Sequence, residues 1–224
     1  MRKIIAPSIL NCDLAELRQE CEQVLGFGAH WLHLDIMDGH FVSNLSVGPG
    51  VVKSLRSHFP SVYFDCHLMV SAPENWVGAF ADAGASSFTF HLETQPDLNS
   101  LENLLVSIRA RSMKTGIAIK PSTAISEDML SVLNKGLVDL VLVMTVEPGY
   151  GGQKFMHDTM AKVSFIRERF PNIDIEVDGG VNNETIQVAN KAGANVFVLG
   201  TYIFWAADKQ QTISELLKLV DSGI

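Results

Sequence analysis

The stretch GFGAHWLHLDIMDGHF, residues 26–41, holds the joint on which the fold turns. Just before it, Leu14, Leu17, Cys21, Val24 and Leu25 recur at helical spacing, with Asn11 or Asp13 placed to cap the helix. Glycine just past a helix can adopt the left-handed conformation that stops it. Trp31 to Met37 then runs on as a strand rich in apolar and aromatic residues. The same order of helix end, Gly-Ala and apolar strand returns in ADAGASSFTFHLE (81–93) and NKAGANVFVLG (190–200). Within the quoted strand, period-2 geometry puts Trp31, His33, Asp35 and Met37 on one face. An imidazole and a carboxylate are costly in an interior, so their presence there asks for a chemical reason.

Outward from this joint, strands are expected around 3–10, 30–36, 62–70, 87–92, 115–120, 139–145, 173–178 and 195–200. Most are apolar and β-branched on both faces, as in parallel strands buried on both sides. Helical spacing appears over 98–108, 125–137, 160–170 and 213–220. Eight βα units with no linker or low-complexity stretch predict one domain over 1–224, a closed (β/α)8 TIM barrel. A doubly wound open sheet is the alternative. It would need its ligand groups at one switch point, and the polar residues here are spread over too many strands.

Composition bounds the function. The chain has 224 residues, 47% hydrophobic and 19% charged, with a formal charge of −8. It has no basic run, so neither nucleic acid nor an anionic membrane is an expected partner. An anionic substrate would have to be held locally, against the net charge. No apolar run approaches the roughly 20 residues of a membrane span. The start, MRKIIAPSIL, has too short an apolar stretch for a signal peptide. Cys12, Cys21 and Cys66 are odd in number and form no C-x-x-C, so reduced thiols and a cytoplasmic location are expected.

In such a barrel, active sites sit at the C-terminal ends of the strands. Ser8 is expected at the end of strand 1, His33 and Asp35 at the end of strand 2, His67 of strand 3 and Asp178 of strand 7. His33, Asp35, His67 and Asp178 together make a transition-metal site whose mixed N/O donors suit Zn2+, Fe2+, Mn2+ or Co2+. A lone histidine at a strand end is more often structural; four such residues on three strand ends are harder to dismiss. Gly149, Tyr150, Gly151 and Gly152 follow strand 6, Gly179 and Gly180 follow strand 7, and Gly200 and Thr201 follow strand 8. Backbone N–H groups in loops without Cβ atoms can hold a phosphate with no Arg or Lys. Met37, Met69 and Met144 lie at or just past strand C-termini, either filling gaps in the core or lining a planar intermediate. His91 is either a partner of a ligand or structural, and the 40–49 loop either a lid or an interface. Lys120, ending strand 5, keeps a Schiff-base aldolase in view. A non-catalytic phosphosugar-binding barrel would not need two opposed aspartates.

With APSIL (6–10), HLDIMDGHFV (33–42), CHLMV (66–70), VMTVEPGYGGQKF (143–155), EVDGGV (176–181) and GT (200–201) assembled, the chain closely resembles the ribulose-phosphate 3-epimerase family nearly end to end. The resemblance implies a TIM barrel that interconverts D-ribulose 5-phosphate and D-xylulose 5-phosphate by inversion at C3, in the pentose phosphate pathway. It implies one divalent ion per chain on His33, Asp35, His67 and Asp178, with Asp35 and Asp178 as the acid/base pair. It implies Ser8 as a substrate contact, along with His67 and Asp178. Gly149 to Gly152, Gly179, Gly180, Gly200 and Thr201 would cradle the phosphate, and the three methionines would flank the enediolate. A homo-oligomer is expected. Ser43, Lys120 and Thr201 depart from the commonest pattern of the family without touching the metal or the acids. Allulose 6-phosphate is the competing substrate, and the GYGG and DGG loops favour the pentose.

Overall fold

The computed structural model describes residues 1–221, so the last three residues of the expected 1–224 domain lie outside the described residues. Runs of Ile, Val, Leu and Phe form the strands β1 (Ile4–Pro7), β2 (Trp31–Met37), β3 (Tyr63–Met69), β4 (Ser87–His91), β5 (Lys114–Ile119), β6 (Leu140–Met144), β7 (Asp174–Asp178) and β8 (Val196–Leu199). All pair in parallel in the order β1-β8-β7-β6-β5-β4-β3-β2. Between β1 and β2 the ring closes more sparsely, through the bridge Ser8–His33 and the bond from the His30 N–H to the Ile5 carbonyl at 3.0 Å. The architecture is a nearly closed (β/α)8 barrel.

The helices are α1 (Leu17–Gly26), α2 (Pro49–His58), α3 (Val77–Ala83), α4 (Leu98–Ala110), α5 (Glu127–Asn134), α6 (Met160–Arg169), α7 (Thr185–Ala192), α8 (Thr201–Phe204) and α9 (Lys209–Asp221). Among the described residues, no helix is long and apolar enough to cross a membrane. The expected glycine stops are present: Gly84 ends α3 at φ 89° and Gly193 ends α7 at φ 112°. Two expected boundaries shift because side chains capture backbone N–H groups. β1 ends at Pro7, not residue 10, because Ser8 Oγ accepts from the Leu10 N–H and turns the chain. α5 begins at Glu127, behind Ser126, whose hydroxyl accepts from the Met129 N–H. Of the two expected caps, Asp13 caps only the 3-10 turn Leu14–Glu16 before α1, accepting from the Ala15 N–H, and α1 itself starts behind Glu16 without a side-chain cap.

The core has two parts. A large apolar shell lies between the strands and the helices. Inside the barrel the contents divide. Ile4, Ala6, Ala118, Leu140, Leu142, Met144, Val196 and Val198 fill one side with apolar groups. On the other side, β2, β3, β4 and β7 bury His33, Asp35, Asp65, His67, Ser87, Thr89, His91 and Glu176. Burying such groups is costly unless they satisfy one another or a ligand.

At the N-terminal face, two arginines repeat one task. Arg56 on α2 donates to the carbonyls of Gly84, Phe59 and Val62, tying the ends of α2 and α3 to the start of β3. Arg167 on α6 donates to the carbonyls of Gly193 and Ile173, in the equivalent place between α6, α7 and β7. The same half-chain offset that relates Arg56 to Arg167 relates Asp65 to Glu176 and His67 to Asp178.

Candidate active site

Register builds the site. β2 and β3 align so that His33 lies beside Asp65 and Asp35 beside His67. All four point inward, forming two stacked layers. His33, Asp35 and His67 therefore lie within the strands, not at their ends as the sequence leads one to expect; Asp178 does end β7, and Ser8 follows β1. His33 Nε2 is 3.3 Å from Asp35 Oδ1 and 3.8 Å from Asp178 Oδ2. His67 Nδ1 is 3.2 Å from Asp35 Oδ1 and 3.8 Å from Asp178 Oδ2. Ser8 Oγ donates to Asp35 Oδ2 at 2.5 Å.

These four residues fit a metal ion. One donor atom from each lies within 4.8 Å of the others, and His33 Nε2 is buried without a hydrogen-bond partner. Two imidazoles and two carboxylates are a donor set for a borderline divalent cation. The electrostatics agree. Burial favours a neutral His33 ring, yet Asp35, Asp65 and Glu176 around it outweigh burial and hold its pKa well above the ordinary value. Burial would raise Asp35, but the neighbouring His33 and His67 keep it well below the carboxylate range. Asp178, its side chain 17% exposed, is raised to about 6 by burial and by the Asp35 charge.

Beneath this layer lies a carboxylate pair that the sequence reading missed. His33 Nδ1 is 2.7 Å from Asp65 Oδ2 and 3.1 Å from Glu176 Oε1. Ser87 donates to Asp65 Oδ1 at 2.7 Å. Burial and the nearby Asp65 push Glu176 well above the usual glutamate pKa, while hydrogen bonding and the charge of His33 hold Asp65 below its usual value against burial. The signal for this pair was period 2: Asp65 precedes His67, and Glu176 precedes Asp178, by two residues.

His91 is the last residue of β4 and touches His67. Its Nε2 is 2.9 Å from His67 Nε2, and its Nδ1 is 3.1 Å from Glu93 Oε2. Burial pushes the His91 pKa down to about 4. Burial works against an ionised Glu93, yet hydrogen bonds from His91, the Lys120 N–H and Thr123 hold it at about 2.

Above the ligands opens a cavity lined by Ser8, Asp35, Asp178, Met37, Met69 and Met144, and by Gly149 to Gly152, Gly179, Gly180, Gly200 and Thr201. His33 and His67 are fully buried beneath it and do not line it. No Arg or Lys is among its lining residues. Lys120 lies aside, with Nζ 4.1 Å from the Phe41 ring centroid. Gly180, at φ 66°, leaves no room for a side chain: a Cβ there would come within 2.5 Å of the Phe155 nitrogen. Asn11, expected only as a possible cap, also lines the cavity and packs its amide against Gly151 and Gly200. The 40–49 loop is tied to the loop after β6, where Asn44 donates to the Gly149 carbonyl at 2.8 Å and Tyr150 to that of Ser43 at 2.5 Å.

Comparison with known proteins agrees with this geometry. The model of the ribulose-phosphate 3 epimerase family matches residues 4–204. A protein of Oryza sativa subsp. japonica named ribulose-phosphate 3-epimerase, cytoplasmic isoform, is 50% identical over 219 residues, covering 98% of this chain and 95% of the relative. A ribulose-phosphate 3-epimerase of Eremothecium gossypii is 51% identical over 224 residues, covering 96% of this chain and 91% of its own. Among solved structures, the 3-keto-L-gulonate-6-phosphate decarboxylase of Vibrio cholerae superposes with a TM-score of 0.76 at 14% identity, over 100% of both chains, a likeness of fold alone.

Proposed function

This chain belongs to the ribulose-phosphate 3-epimerase family, and from that premise we propose how its own residues carry the reaction. It is an isomerase that interconverts D-ribulose 5-phosphate and D-xylulose 5-phosphate by inverting C3. Inversion removes a proton α to the C2 ketone and returns one to the opposite face, so each face of the planar enediolate needs an acid/base group. Asp35 on β2 removes the proton from ribulose 5-phosphate, and Asp178 on β7 supplies the new one. Ser8, donating to Asp35 Oδ2, fixes the orientation of that carboxylate.

Met37, Met69 and Met144 present thioether and methylene surface to the enediolate and keep water from reprotonating it. Backbone N–H groups of the loops after β6, β7 and β8 hold the phosphate, which positions C3 between the two aspartates. His33, Asp35, His67 and Asp178 would hold a divalent ion, Zn2+, Fe2+, Mn2+ or Co2+. When bound, it supplies positive charge against the oxyanion that develops at C2, an effect of several kcal/mol. The reading includes a cytoplasmic location, as in the name of the rice relative, with a phosphosugar as the small-molecule partner.

The observation that carries these roles is the convergence of Asp35 and Asp178 on the partnerless His33 Nε2 at the floor of a cavity rimmed by glycine loops. A coupled assay with ribulose 5-phosphate, before and after metal stripping, tests them. Activity should vanish on stripping and return with one of the four ions. Full activity in metal-free protein would remove the metal from the reading.

A further inference from the structure

We propose that Glu93 is a positioning residue which, through His91, fixes the ring tautomer that leaves His67 Nδ1 bare for the metal ion. The inference rests on the assignment of His67 as a ligand. It starts from a carboxylate that does not line the cavity.

Glu93 Oε1 already accepts two hydrogen bonds, from the Lys120 N–H at 2.8 Å and from the Thr123 hydroxyl. Its other oxygen, Oε2, faces His91 Nδ1 at 3.1 Å. An ionised carboxylate only accepts, so the hydrogen of that contact is on His91 Nδ1. The two Nε2 atoms of His91 and His67 lie 2.9 Å apart, which requires one hydrogen between them. A neutral His91 with its hydrogen at Nδ1 offers only a lone pair at Nε2, so the hydrogen belongs to His67 Nε2. With its hydrogen at Nε2, His67 is bare at Nδ1, the atom that lies 3.2 Å from Asp35 Oδ1 and 3.8 Å from Asp178 Oδ2. A lone pair facing two carboxylate oxygens is repulsive until a cation stands among them.

Water cannot reset this chain of donors. His67 and His91 are fully buried, and the Phe41 ring packs on His91 at 4.7 Å between centroids. Without a cation, Asp35 competes for a hydrogen at His67 Nδ1; with a cation held by Asp35 and Asp178 the polarity is set from the Glu93 end, and it can be reversed there. In Glu93→Gln, the two donors at Oε1 hold the amide carbonyl in that place and turn the NH2 toward His91. His91 Nδ1 then accepts, its Nε2–H donates to His67, and His67 carries its hydrogen at Nδ1, pointing into the ligand cluster. Glu93→Ala removes the anchor without imposing the wrong polarity.

The test is Zn2+ affinity of the full-length chain, by competition with a chromophoric chelator, for wild type, Glu93→Gln and Glu93→Ala. Thermal melts in chelator check folding of each. Partners behind metal ligands are typically worth 10–100-fold in affinity. Glu93→Gln, the isosteric change, should lose at least ~10-fold and lose more than Glu93→Ala. Long-range 1H–15N spectra of the Zn2+-loaded wild type should show His67 protonated at Nε2 and His91 at Nδ1. Equal affinity of Glu93→Gln and wild type, weaker binding by Glu93→Ala than by Glu93→Gln, or the opposite tautomers would overturn the relay alone. A wild-type chain that binds no Zn2+ would overturn the metal reading and the relay with it.

Discussion

Asp35 and Asp178 face the same two imidazoles but differ in exposure and partners, and the proposed reaction asks each to serve one face of C3. Their roles separate in heavy water. Asn preserves size and one oxygen donor but cannot carry a proton, so metal occupancy is confirmed first. Asp178→Asn should then wash deuterium into C3 of ribulose 5-phosphate while little xylulose 5-phosphate forms. Asp35→Asn should instead exchange xylulose 5-phosphate. Each should lose ~10²–10⁴-fold in epimerisation, the usual contribution of one acid/base group. A metal-loaded variant that epimerises near the wild-type rate would reduce that aspartate to a ligand. The four residues of the His/Asp cluster were legible in the sequence because a polar group on the inward face of an otherwise apolar strand has few innocent explanations. Asp65 and Glu176 carried the same signal and were passed over, since motif reading stops at residues that match chemistry and these act only through His33. The contact of His91 with His67 crosses from one strand to the next and depends on how the two rings are turned, which spacing along the chain does not encode.

At the scale of elements, the strands were readable because burial on both sides leaves long apolar runs, and the Gly-Ala stops marked where β2, β4 and β8 begin. The boundaries that moved did so at Ser8 and Ser126, where a hydroxyl competes with the backbone for an N–H. The loops were readable as glycine-rich, and the structure supplies the reason at Gly180, whose φ of 66° and contact with the Phe155 nitrogen admit no Cβ. Gly180→Val combines strain with steric filling. Residues forced into such conformations cost ~1–3 kcal/mol, which for a chain of this size lowers Tm by roughly 2–12 °C. If the loop also holds phosphate, kcat/KM for ribulose 5-phosphate should fall at least ~10-fold relative to that for free ribulose, as remote binding is used to orient the reacting carbon. A lower Tm with an unchanged ratio between the two sugars would leave Gly180 a purely structural residue.

For the whole molecule, the barrel separates tasks by face and by side. Arginines secure the N-terminal face, chemistry occupies the C-terminal one, and the polar interior is confined to β2, β3, β4 and β7. The half-chain offset that pairs Arg56 with Arg167 also pairs His67 with Asp178, so two members of the His/Asp cluster occupy equivalent positions in the two halves. The cavity without Arg or Lys, in a chain of charge −8, governs how substrate arrives. A phosphosugar dianion gains nothing from long-range attraction and meets a weakly repulsive field, which dissolved ions screen over ~10 Å at 0.1 M. Raising KCl from about 10 to about 150 mM should therefore leave kcat/KM level or let it climb, where a basic clamp would lose encounter rate steeply. A marked decline would mean that cationic side chains outside the cavity guide the approach. If peptide dipoles alone hold the phosphate, they act only at contact, capture proceeds by collision and fit, and turnover at low substrate should be largely indifferent to the ionic strength around the enzyme.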